Sequence, residues 1–238
     1  MTNHPSPLTP TDEAAIVDFA LTSRRSVRAF LPTPIARAEV EALLQVAARA
    51  PSGTNIQPWK VHVVQGAKRD ELVKAVQHAH YTEPQNHQTE YAYYPTKWRE
   101  PYLGRRRKIG WDMYGLLGIG KADKDKMHQQ HGDNYGFFGA PVGLMFTVDA
   151  DMEKGSWLDS GMFLQNIMTA ARGRGLHTCP QQAWSSYYKI VKPLLGIPES
   201  ETLMCGMALG YEDANAPINR LVTVREPLDA FAQFHWSD

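Results

Sequence analysis

Residues that could hold a flat, polar ligand are concentrated in the stretch from Ala50 to Trp59, which reads Ala-Pro-Ser-Gly-Thr-Asn-Ile-Gln-Pro-Trp. Its candidate binding residues are Pro51, Ser52, Gly53, Asn55 and Gln57. The serine hydroxyl and the two amides both donate and accept hydrogen bonds, and the glycine allows a backbone conformation closed to other residues. This set suits a heteroaromatic ligand rimmed with carbonyls and nitrogens. A polar loop with turn chemistry alone would use the same residue types.

A second stretch, from Ser23 to Phe30, carries the positive charge that an anion would need. It reads Ser-Arg-Arg-Ser-Val-Arg-Ala-Phe, with Arg24, Arg25, Ser26 and Arg28 as candidate binding residues. A guanidinium group binds phosphate oxygens bidentately, and a serine hydroxyl adds a neutral donor. The alternative interpretation is a solvated, basic helix end that interacts with the helix macrodipole.

Together, the two stretches resemble the signature of the nitroreductase family of FMN-dependent oxidoreductases. In that family an Arg-Arg-Ser-x-Arg segment opens the domain, and a Pro-Ser-x-x-Asn-x-Gln-Pro-Trp segment follows at about this distance. The resemblance implies that Arg24 and Ser26 reach the phosphate and ribityl chain of FMN, and that Arg28 lies near the pyrimidine edge of the flavin. A cation there would stabilise the negative charge that reduction places around N1 and O2.

Two later segments complete the cofactor site that the resemblance implies. The first is a loop alongside the flavin, from which a backbone N–H points at N5: Cys179, Pro180, Gln181 and Gln182. The closing segment supplies a further phosphate-binding cation, either Arg220 or Arg225, of which Arg225 fits the family's Arg-x-Pro-Leu pattern better. No positioned base accompanies Cys179, so inert packing is preferred over a catalytic thiol. No side chain is expected to act catalytically, because the chemistry resides at N5.

The segment from about residue 80 to 131 has a different composition, rich in tyrosine and tryptophan. Its candidate substrate-binding residues are Tyr91, Tyr94, Trp98 and Tyr102. The aromatic residues either line a substrate pocket as a lid or pack an insertion onto the domain or a partner. The basic run from Arg105 to Lys108 is expected at the surface, where it could attract an anionic substrate or the phosphates of a nicotinamide cofactor. The lid pattern resembles the nitrobenzoate and nitrobenzene reductase branch.

The elements that position these residues follow from hydrophobic periodicity and end signals. A first helix is expected to begin with Thr9 as its cap and to end near Thr22. Further helices are expected over Arg37–Ala50, Ala67–Ala79 and Trp157–Arg172, with strands over Trp59–Val64, Val142–Val148 and Leu203–Leu209. The resemblance implies an α+β fold, with a mixed, mostly antiparallel sheet flanked by helices. It also implies a single domain over residues 1–238, with a lid-like insertion at about 80–131 and a C-terminal arm at about 212–238.

Composition excludes several classes of function. The chain has 238 residues, with 25 basic and 25 acidic side chains, which argues against nucleic-acid binding through a basic field. No apolar run approaches the roughly 18 residues of a membrane span. Met1 to Pro10 lacks a signal pattern, and the two cysteines lack a C-x-x-C spacing, so a cytoplasmic protein is expected. No metal-binding spacing or G-x-G-x-x-G motif occurs.

The resemblance implies an intertwined homodimer in which the arginine segment of one subunit and the polar loop of the other share each FMN. It also implies a ping-pong reaction, in which NAD(P)H reduces the flavin and a nitroaromatic, quinone or enone-like acceptor then takes the electrons, nitro groups passing through nitroso to hydroxylamine. Either NADH or NADPH is compatible with the sequence. One alternative is a deiodinase-like dehalogenase using FMN, in which Glu90 and Tyr94 would grip an amino acid. Another is a flavin-binding protein without a reductase role.

Overall fold

The computed structural model describes residues 9–236, which form seven α-helices and five strands. The helices are α1 (Pro10–Ser23), α2 (Arg37–Ala47), α3 (Gly66–Thr82), α4 (Tyr102–Leu116), α5 (Lys124–Gly132), α6 (Lys154–Arg172) and α7 (Tyr188–Leu195). The strands are β1 (Phe30–Leu31), β2 (Lys60–Gln65), β3 (Val142–Asp149), β4 (His177–Gln181) and β5 (Glu201–Glu212). Most of the polar N-terminus, in which no signal pattern is expected, and the last two residues of the expected arm lie outside the described residues.

The strands form one sheet in the order β1-β5-β3-β2, and β4 also pairs with β5. Each of these pairings is antiparallel, with Val63 of β2 opposite Leu144 of β3, for example. An isolated parallel bridge joins Ser26 to Thr178 of β4. The predicted α+β fold with a mostly antiparallel sheet is therefore confirmed.

Local sequence signals explain where the first two helices begin and end. Thr9 caps α1, because its hydroxyl accepts a bond from the Asp12 N–H (3.2 Å) and the Asp12 carboxylate accepts one from the Thr9 N–H (3.3 Å). Helix α2 ends at Ala47, three residues before the predicted end, and a turn continues to Ala50. The helix ends early because the residue before Pro51 is driven out of the helical conformation.

Hydrophobic cores cover both faces of the sheet, because successive side chains of a strand point to opposite sides. On one face, Leu144 and Phe146 of β3 pack in a cluster with Leu43 of α2 and Ile167 of α6. On the other face, Met145 joins a cluster with residues of α3, α7 and the turns that flank them. Helix α6 therefore runs along the sheet as a fixed support, and the functional side chains described below lie on and around it.

Between α3 and β3 the chain leaves the sheet and forms the surface segment that contains α4 and α5. Helix α4 has no buried residue, and the one buried residue of α5 is Gly132. Polar contacts between the segment and the rest of the molecule include the ion pair of Arg105 with Glu226 at 3.0 Å and the hydrogen bond that the Tyr91 hydroxyl donates to the Met204 carbonyl. Because α4 and α5 bury so few residues, these two helices are expected to have a lower local stability than the sheet.

Neither a membrane span nor a metal-binding cluster occurs among residues 9–236. None of the helices in that range is both long and apolar enough to cross a bilayer. No group of three His, Cys, Asp or Glu side chains there is arranged to hold a metal ion. The histidines near α5 are packed as aromatic rings instead, with His80 stacked on His128 at a centroid distance of 4.2 Å.

Candidate functional site

The arginine segment lies between α1 and β1, where it runs beside strand β4. The Val27 N–H donates to the Thr178 carbonyl at 3.1 Å, and this contact anchors the segment. Arg24 and Arg28 diverge from there to different sides. Arg28 donates to the Ser26 carbonyl at 3.2 Å and lines a surface hollow with Asp133, so it lies outside the cleft that Arg24 lines.

Arg24 lines a cavity of about 710 Å³ that we call the basic cleft. The charged or titratable residues lining it are Arg24, Arg25, Arg172, His177, Glu212 and Arg225. Burial lowers the pKa of Arg24, and the positive charge of Arg225 lowers it further. Arg220 is exposed and does not line the cleft. Of the two candidate arginines in the closing segment, the structure therefore brings Arg225 to Arg24. Two guanidinium groups held this way would be stabilised by an anion between them.

Arg25 differs from its neighbour, because its guanidinium is paired with the Glu212 carboxylate. Glu212 belongs to β5, and its second oxygen lies 3.2 Å from the Nε2 atom of His177. Sequence reasoning missed Glu212, His177 and Arg172, which come from three separate elements. Arg25 is therefore partly neutralised within the cleft, and Arg24, Arg172 and Arg225 supply the charge that is left for a ligand.

The polar loop from Pro51 to Gln57 forms a tight, internally bonded turn. Its Ser52 hydroxyl accepts from the Gln57 N–H at 3.0 Å, and the Gln57 amide donates to the Asn55 carbonyl at 3.1 Å. Positive φ angles occur at Thr54 (46°), Asn55 (60°) and Gln57 (48°). The sequence predicts the unusual backbone conformation at Gly53, but Gly53 does not have a positive φ angle, so that expectation is wrong. Residues with side chains hold such angles only where the surroundings fix them, which is typical of ligand-binding loops.

Helix α6 fixes the position of this loop through buried contacts. The Gly53 N–H donates to the carboxylate of Asp159 at 3.2 Å, and Asp159 is only 7% exposed. Trp59, at the far end of the loop, stacks on Phe163 with a centroid distance of 4.9 Å. The Asn166 amide donates to the Ala47 carbonyl at 3.2 Å, just before the loop. Residues 51–57 nevertheless do not line the basic cleft of the same subunit.

The segment expected as a flavin-side loop is largely strand β4, so this expectation is wrong in its local structure. Cys179 pairs opposite Ala208 of β5, and Gln181 pairs opposite Gly206. The proline in this segment suggests a break, but proline is tolerated in an edge strand where its missing N–H faces outwards. Pro180 is exposed accordingly. A strand holds the backbone more firmly than a loop, which suits a surface that a planar ring must rest against.

The side chains from Cys179 to Gln182 differ in their burial and in their hydrogen-bond partners. Cys179 is buried, and burial raises the pKa of its thiol to about 11. Gln181 is also buried, and its amide donates to the Asn134 carbonyl at 2.7 Å. Gln182 is half-buried and donates to the Ser185 hydroxyl at 2.8 Å. The thiol is therefore protonated and inert. What residues 179–182 leave accessible to a ligand is mainly their backbone and the exposed ring of Pro180.

Residues of the lid and residues 180–182 together line a second cavity, of about 540 Å³, that we call the aromatic cavity. It is lined by Tyr91, Tyr93, Tyr94, Trp157, Leu164, Pro180, Gln181, Gln182, Met204 and Cys205, with the two small residues Ala92 and Gly161. Tyr91 packs edge-on against Trp157 at 4.5 Å. Burial raises the pKa of Tyr91 to about 12, so its hydroxyl stays neutral. Sequence reasoning missed Trp157, although it lies seven residues before Leu164 and hence on the same face of α6.

Two of the four predicted substrate-binding residues do not line the aromatic cavity. Trp98 packs behind Tyr94 at a centroid distance of 5.1 Å, with the Arg106 guanidinium 4.8 Å above its ring. Tyr102 lies at the start of α4, with the Arg99 guanidinium 5.0 Å from its ring. Both residues therefore support the lid, whereas Tyr91 and Tyr94 face the cavity.

Glu90 has a structural partner that removes it from the lid surface. Its carboxylate accepts from the Lys192 ammonium at 3.0 Å and from the Leu203 N–H at 3.1 Å. Lys192 is 1% exposed, so the pair is fixed beneath the lid. The alternative in which Glu90 and Tyr94 grip a zwitterionic amino acid is therefore not favoured.

The sequence and the fold are shared with known proteins. The nitroreductase family profile matches residues 21–211. The 4-nitrobenzoate reductase of Pseudomonas putida is 42% identical over 217 residues, covering 91% of this chain and 94% of that protein. The nitrobenzene nitroreductase of Ectopseudomonas oleovorans is 35% identical over 218 residues, covering 92% of this chain and 96% of that protein.

A solved structure shows the same likeness in three dimensions. The FMN and NADPH-dependent nitroreductase NfnB from Sphigopyxis sp. strain HMH superposes with a TM-score of 0.90 at 37% identity, covering 93% of this chain and 99% of that one. The predicted resemblance to the nitrobenzoate and nitrobenzene reductase branch is confirmed by these relatives. The chain belongs to the nitroreductase family.

Proposed function

We propose that the protein is an FMN-dependent oxidoreductase that passes electrons from NAD(P)H to nitroaromatic acceptors. The observation that carries the proposal is the pair of cavities that share the walls of β4. The cationic cleft, which holds Arg24 and Arg225, includes His177 at the start of the strand, and the aromatic cavity includes Pro180 and Gln181 at its end. A phosphorylated cofactor with a flat ring needs these two surroundings.

The donor set fits FMN on charge and shape. Arg24 and Arg225 are two cations drawn together, and a phosphate dianion between them would offset their repulsion. The half-buried amide of Gln182 and the backbone of β4 provide polar contacts for the ring edge. Ser52, Asn55 and Gln57 add exposed donors and acceptors on a conformationally fixed loop. Relatives described as FMN and NADPH-dependent support the same assignment.

The residues of this chain would bind, orient and shield the reacting groups. When bound, FMN supplies the redox chemistry, accepting a hydride from the nicotinamide and returning two electrons to the acceptor. Arg24 and Arg225 would hold the phosphate, and the β4 backbone would provide polar contacts for the ring. Tyr91 and Trp157 form an apolar wall that excludes water from the space where nicotinamide and acceptor alternate.

The lining of the aromatic cavity favours a flat aromatic acceptor. Its side chains carry no charge at neutral pH, because burial keeps the Tyr91 hydroxyl and the Cys205 thiol protonated, each with a pKa of about 12. Stacking on tyrosine and tryptophan rings would provide the binding energy. Nitroarenes have this shape and polarity, and the relatives named for 4-nitrobenzoate and nitrobenzene support this class of acceptor.

We further infer that two copies of the chain share each site. One subunit leaves large apolar side chains exposed on α1 and along the C-terminal arm: Ile16, Val17, Phe19, Leu21, Val222, Val224, Phe231, Phe234 and Trp236. Exposed apolar surface of this extent marks an interface. A second subunit covering it would also bring its polar loop towards the basic cleft. We take the chain as one domain, with the lid and the arm as its elaborations, and the free cysteines suit a cytoplasmic protein.

The proposal is tested by the visible spectrum of the purified protein and its response to NADPH under nitrogen. We expect flavin bands near about 450 nm that bleach on reduction and return on adding 4-nitrobenzoate or nitrobenzene. A colourless protein that takes up no added FMN would overturn the cofactor assignment. A protein that binds FMN but oxidises NADPH no faster with any nitroarene would be a flavin-binding protein without this activity.

A further inference from the structure

His177 occupies an unusual position in the wall of the basic cleft. It is the first residue of β4, and its Nε2 atom faces two groups of opposite charge. The Nη1 atom of Arg172 lies 2.9 Å away, and the carboxylate of Glu212 lies 3.2 Å away. Arg25 completes the group through its ion pair with Glu212. These groups reach the histidine from α6, from β5 and from the segment after α1.

The two neighbours make incompatible demands on that nitrogen. Arg172 can only donate, so its contact needs a free lone pair on Nε2, which places the imidazole proton on Nδ1. Nδ1 of His177 is buried without a hydrogen-bond partner. Glu212 can only accept, so its contact needs a proton on Nε2. A single protonation state therefore cannot satisfy both neighbours in the present arrangement.

While the Arg172 guanidinium contacts Nε2, the imidazole of His177 stays neutral. Burial lowers the pKa of His177, and the charges of Arg172 and Arg25 lower it further, against the opposing effect of Glu212. The imidazole is thus neutral, and the cleft holds four guanidinium groups against one carboxylate. A bound dianion would neutralise most of this excess positive charge.

We propose that His177 is a positioning residue for the phosphate of the cofactor and takes up one proton when that phosphate enters the basic cleft. The inference rests on the proposed function, since it names how the same site holds its ligand. When the dianion is bound, the guanidinium of Arg172 leaves Nε2 and that of Arg25 leaves Glu212, and both pair with the phosphate instead. A proton from solvent then binds Nε2, and the imidazolium donates to Glu212 in place of Arg25. Both arginines are left facing the phosphate.

Proton uptake and phosphate recognition must therefore appear together. Calorimetric titration of the apoprotein with FMN, in two buffers of different ionisation enthalpy, measures the protons taken up on binding. We expect uptake approaching one proton near pH 7, and FMN affinity that tightens by more than about tenfold as pH falls from about 8.5 to 6.5. The lower limit keeps most of the phosphate doubly charged, since its second pKa is about 6. Riboflavin, which lacks the phosphate, should bind without uptake.

Substitutions separate the histidine from the rest of the site. His177→Gln keeps a polar side chain that cannot take up a proton, so FMN binding should lose both its uptake and its pH dependence. Glu212→Gln should give the same loss, because the imidazolium then has no carboxylate to pair with. His62→Gln is the matched control, since His62 lies on β2 beside Thr147 and away from the cleft.

The outcomes are distinguishable from failure of the proposed function. Wild-type protein that binds FMN without proton uptake, or His177→Gln protein that keeps the uptake, would overturn the role of His177 and leave the cofactor assignment intact. Riboflavin binding with the same uptake would also overturn it, because the phosphate would not be the trigger. Wild-type protein that binds neither flavin would instead remove the proposed function itself.

Discussion

At the scale of single residues, the chemistry of the site depends on burial, which raises the pKa of both cysteine thiols and keeps them protonated. Cys179 lies beside the arginine segment, where a reactive thiol would compete with flavin chemistry. Burial raises its pKa to about 11, and the nearby charge of Arg28 only partly opposes this shift. Cys205, on the wall of the aromatic cavity, is raised further, to about 12. The arginine segment therefore lies beside a thiol that stays protonated despite the nearby positive charge.

We expect both thiols to be unreactive in the folded protein. At about pH 8, a thiol with the pKa of Cys179 is ionised in roughly one molecule in a thousand. Ellman's reagent should therefore leave the native protein unmodified over minutes and titrate two thiols after unfolding in guanidinium chloride. Rapid reaction of one equivalent with the native protein would show that one of the two thiols is exposed or activated, and reaction of a Cys205→Ala variant would assign it to Cys179.

At the scale of elements, the polar loop depends on α6 for its conformation. Asp159 accepts from the Gly53 N–H while itself nearly fully buried, so the contact anchors a loop that holds three residues at positive φ. Asp159→Ala leaves that N–H without its acceptor, at a cost of about 1–3 kcal/mol. We expect FMN affinity to fall about tenfold, measured by quenching of flavin fluorescence.

The conservative variant Asp159→Asn controls for this effect. It keeps an acceptor oxygen in place, and we expect it to bind FMN more nearly as the wild type does. Equal weakening in both variants would show that the carboxylate charge, and not the hydrogen bond to the loop, is what matters. No weakening in either variant would contradict an anchored loop that takes part in the site.

The packing of α5 on α3 should depend on pH through His80. This residue is buried, its Nδ1 accepts from the Tyr187 hydroxyl at 3.2 Å, and its Nε2 donates to the His128 carbonyl at 3.2 Å. Burial lowers the pKa of His80, so the unfolded chain binds more protons than the folded one below about pH 6.5. Stability contributed above that pH is lost as the pH falls through the folded-state pKa.

Urea denaturation at about pH 7.5 and pH 5.5 checks this dependence. We expect the midpoint to fall at the lower pH, and to fall less for His80→Gln, whose amide does not titrate. His78→Gln is the matched control, because His78 is exposed on the same helix and should leave the pH dependence unchanged. A wild-type dependence that survives in His80→Gln would assign it to other groups.

Local signals predicted the elements of this fold better than they predicted the contacts between them. The cap at Thr9 and the proline after Ala50 placed helix ends to within a few residues, because both act through neighbouring backbone groups. Strand β4 was missed because its proline is typical of loops, and only pairing with β5 identifies it as an edge strand. The network of Arg172, His177 and Glu212 has no local signature, since its members come from different elements and meet only on folding.

At the scale of the whole molecule, the two halves of the proposed site do not meet within one subunit. Arg24 and Arg225 line the basic cleft, whereas Ser52 and Asn55 lie on a loop that is no part of its wall. Helix α6 separates them, holding the loop through Asp159 and lining the cleft through Gln165 and Arg172. A site made from one subunit alone would leave one of the two halves unused.

Heterodimers with defects in known positions distinguish shared sites from separate ones. One variant would carry Arg24→Ala with Arg225→Ala, the other Ser52→Ala with Asn55→Ala, and each homodimer should bind little FMN. If each site takes one half from each subunit, a tagged heterodimer of the two variants has one intact site and binds about half the FMN of the wild type.

The reciprocal heterodimer gives the opposite result and completes the argument. Here one subunit carries all four substitutions and its partner is wild type. Shared sites would then each contain one damaged half, so this heterodimer should bind little FMN even though half of its chains are unaltered. If the sites were instead contained within single subunits, the pattern would reverse, because the wild-type partner would keep its site intact. The two FMN contents, measured by absorbance of released flavin, therefore determine whether the subunit or the dimer is the functional unit.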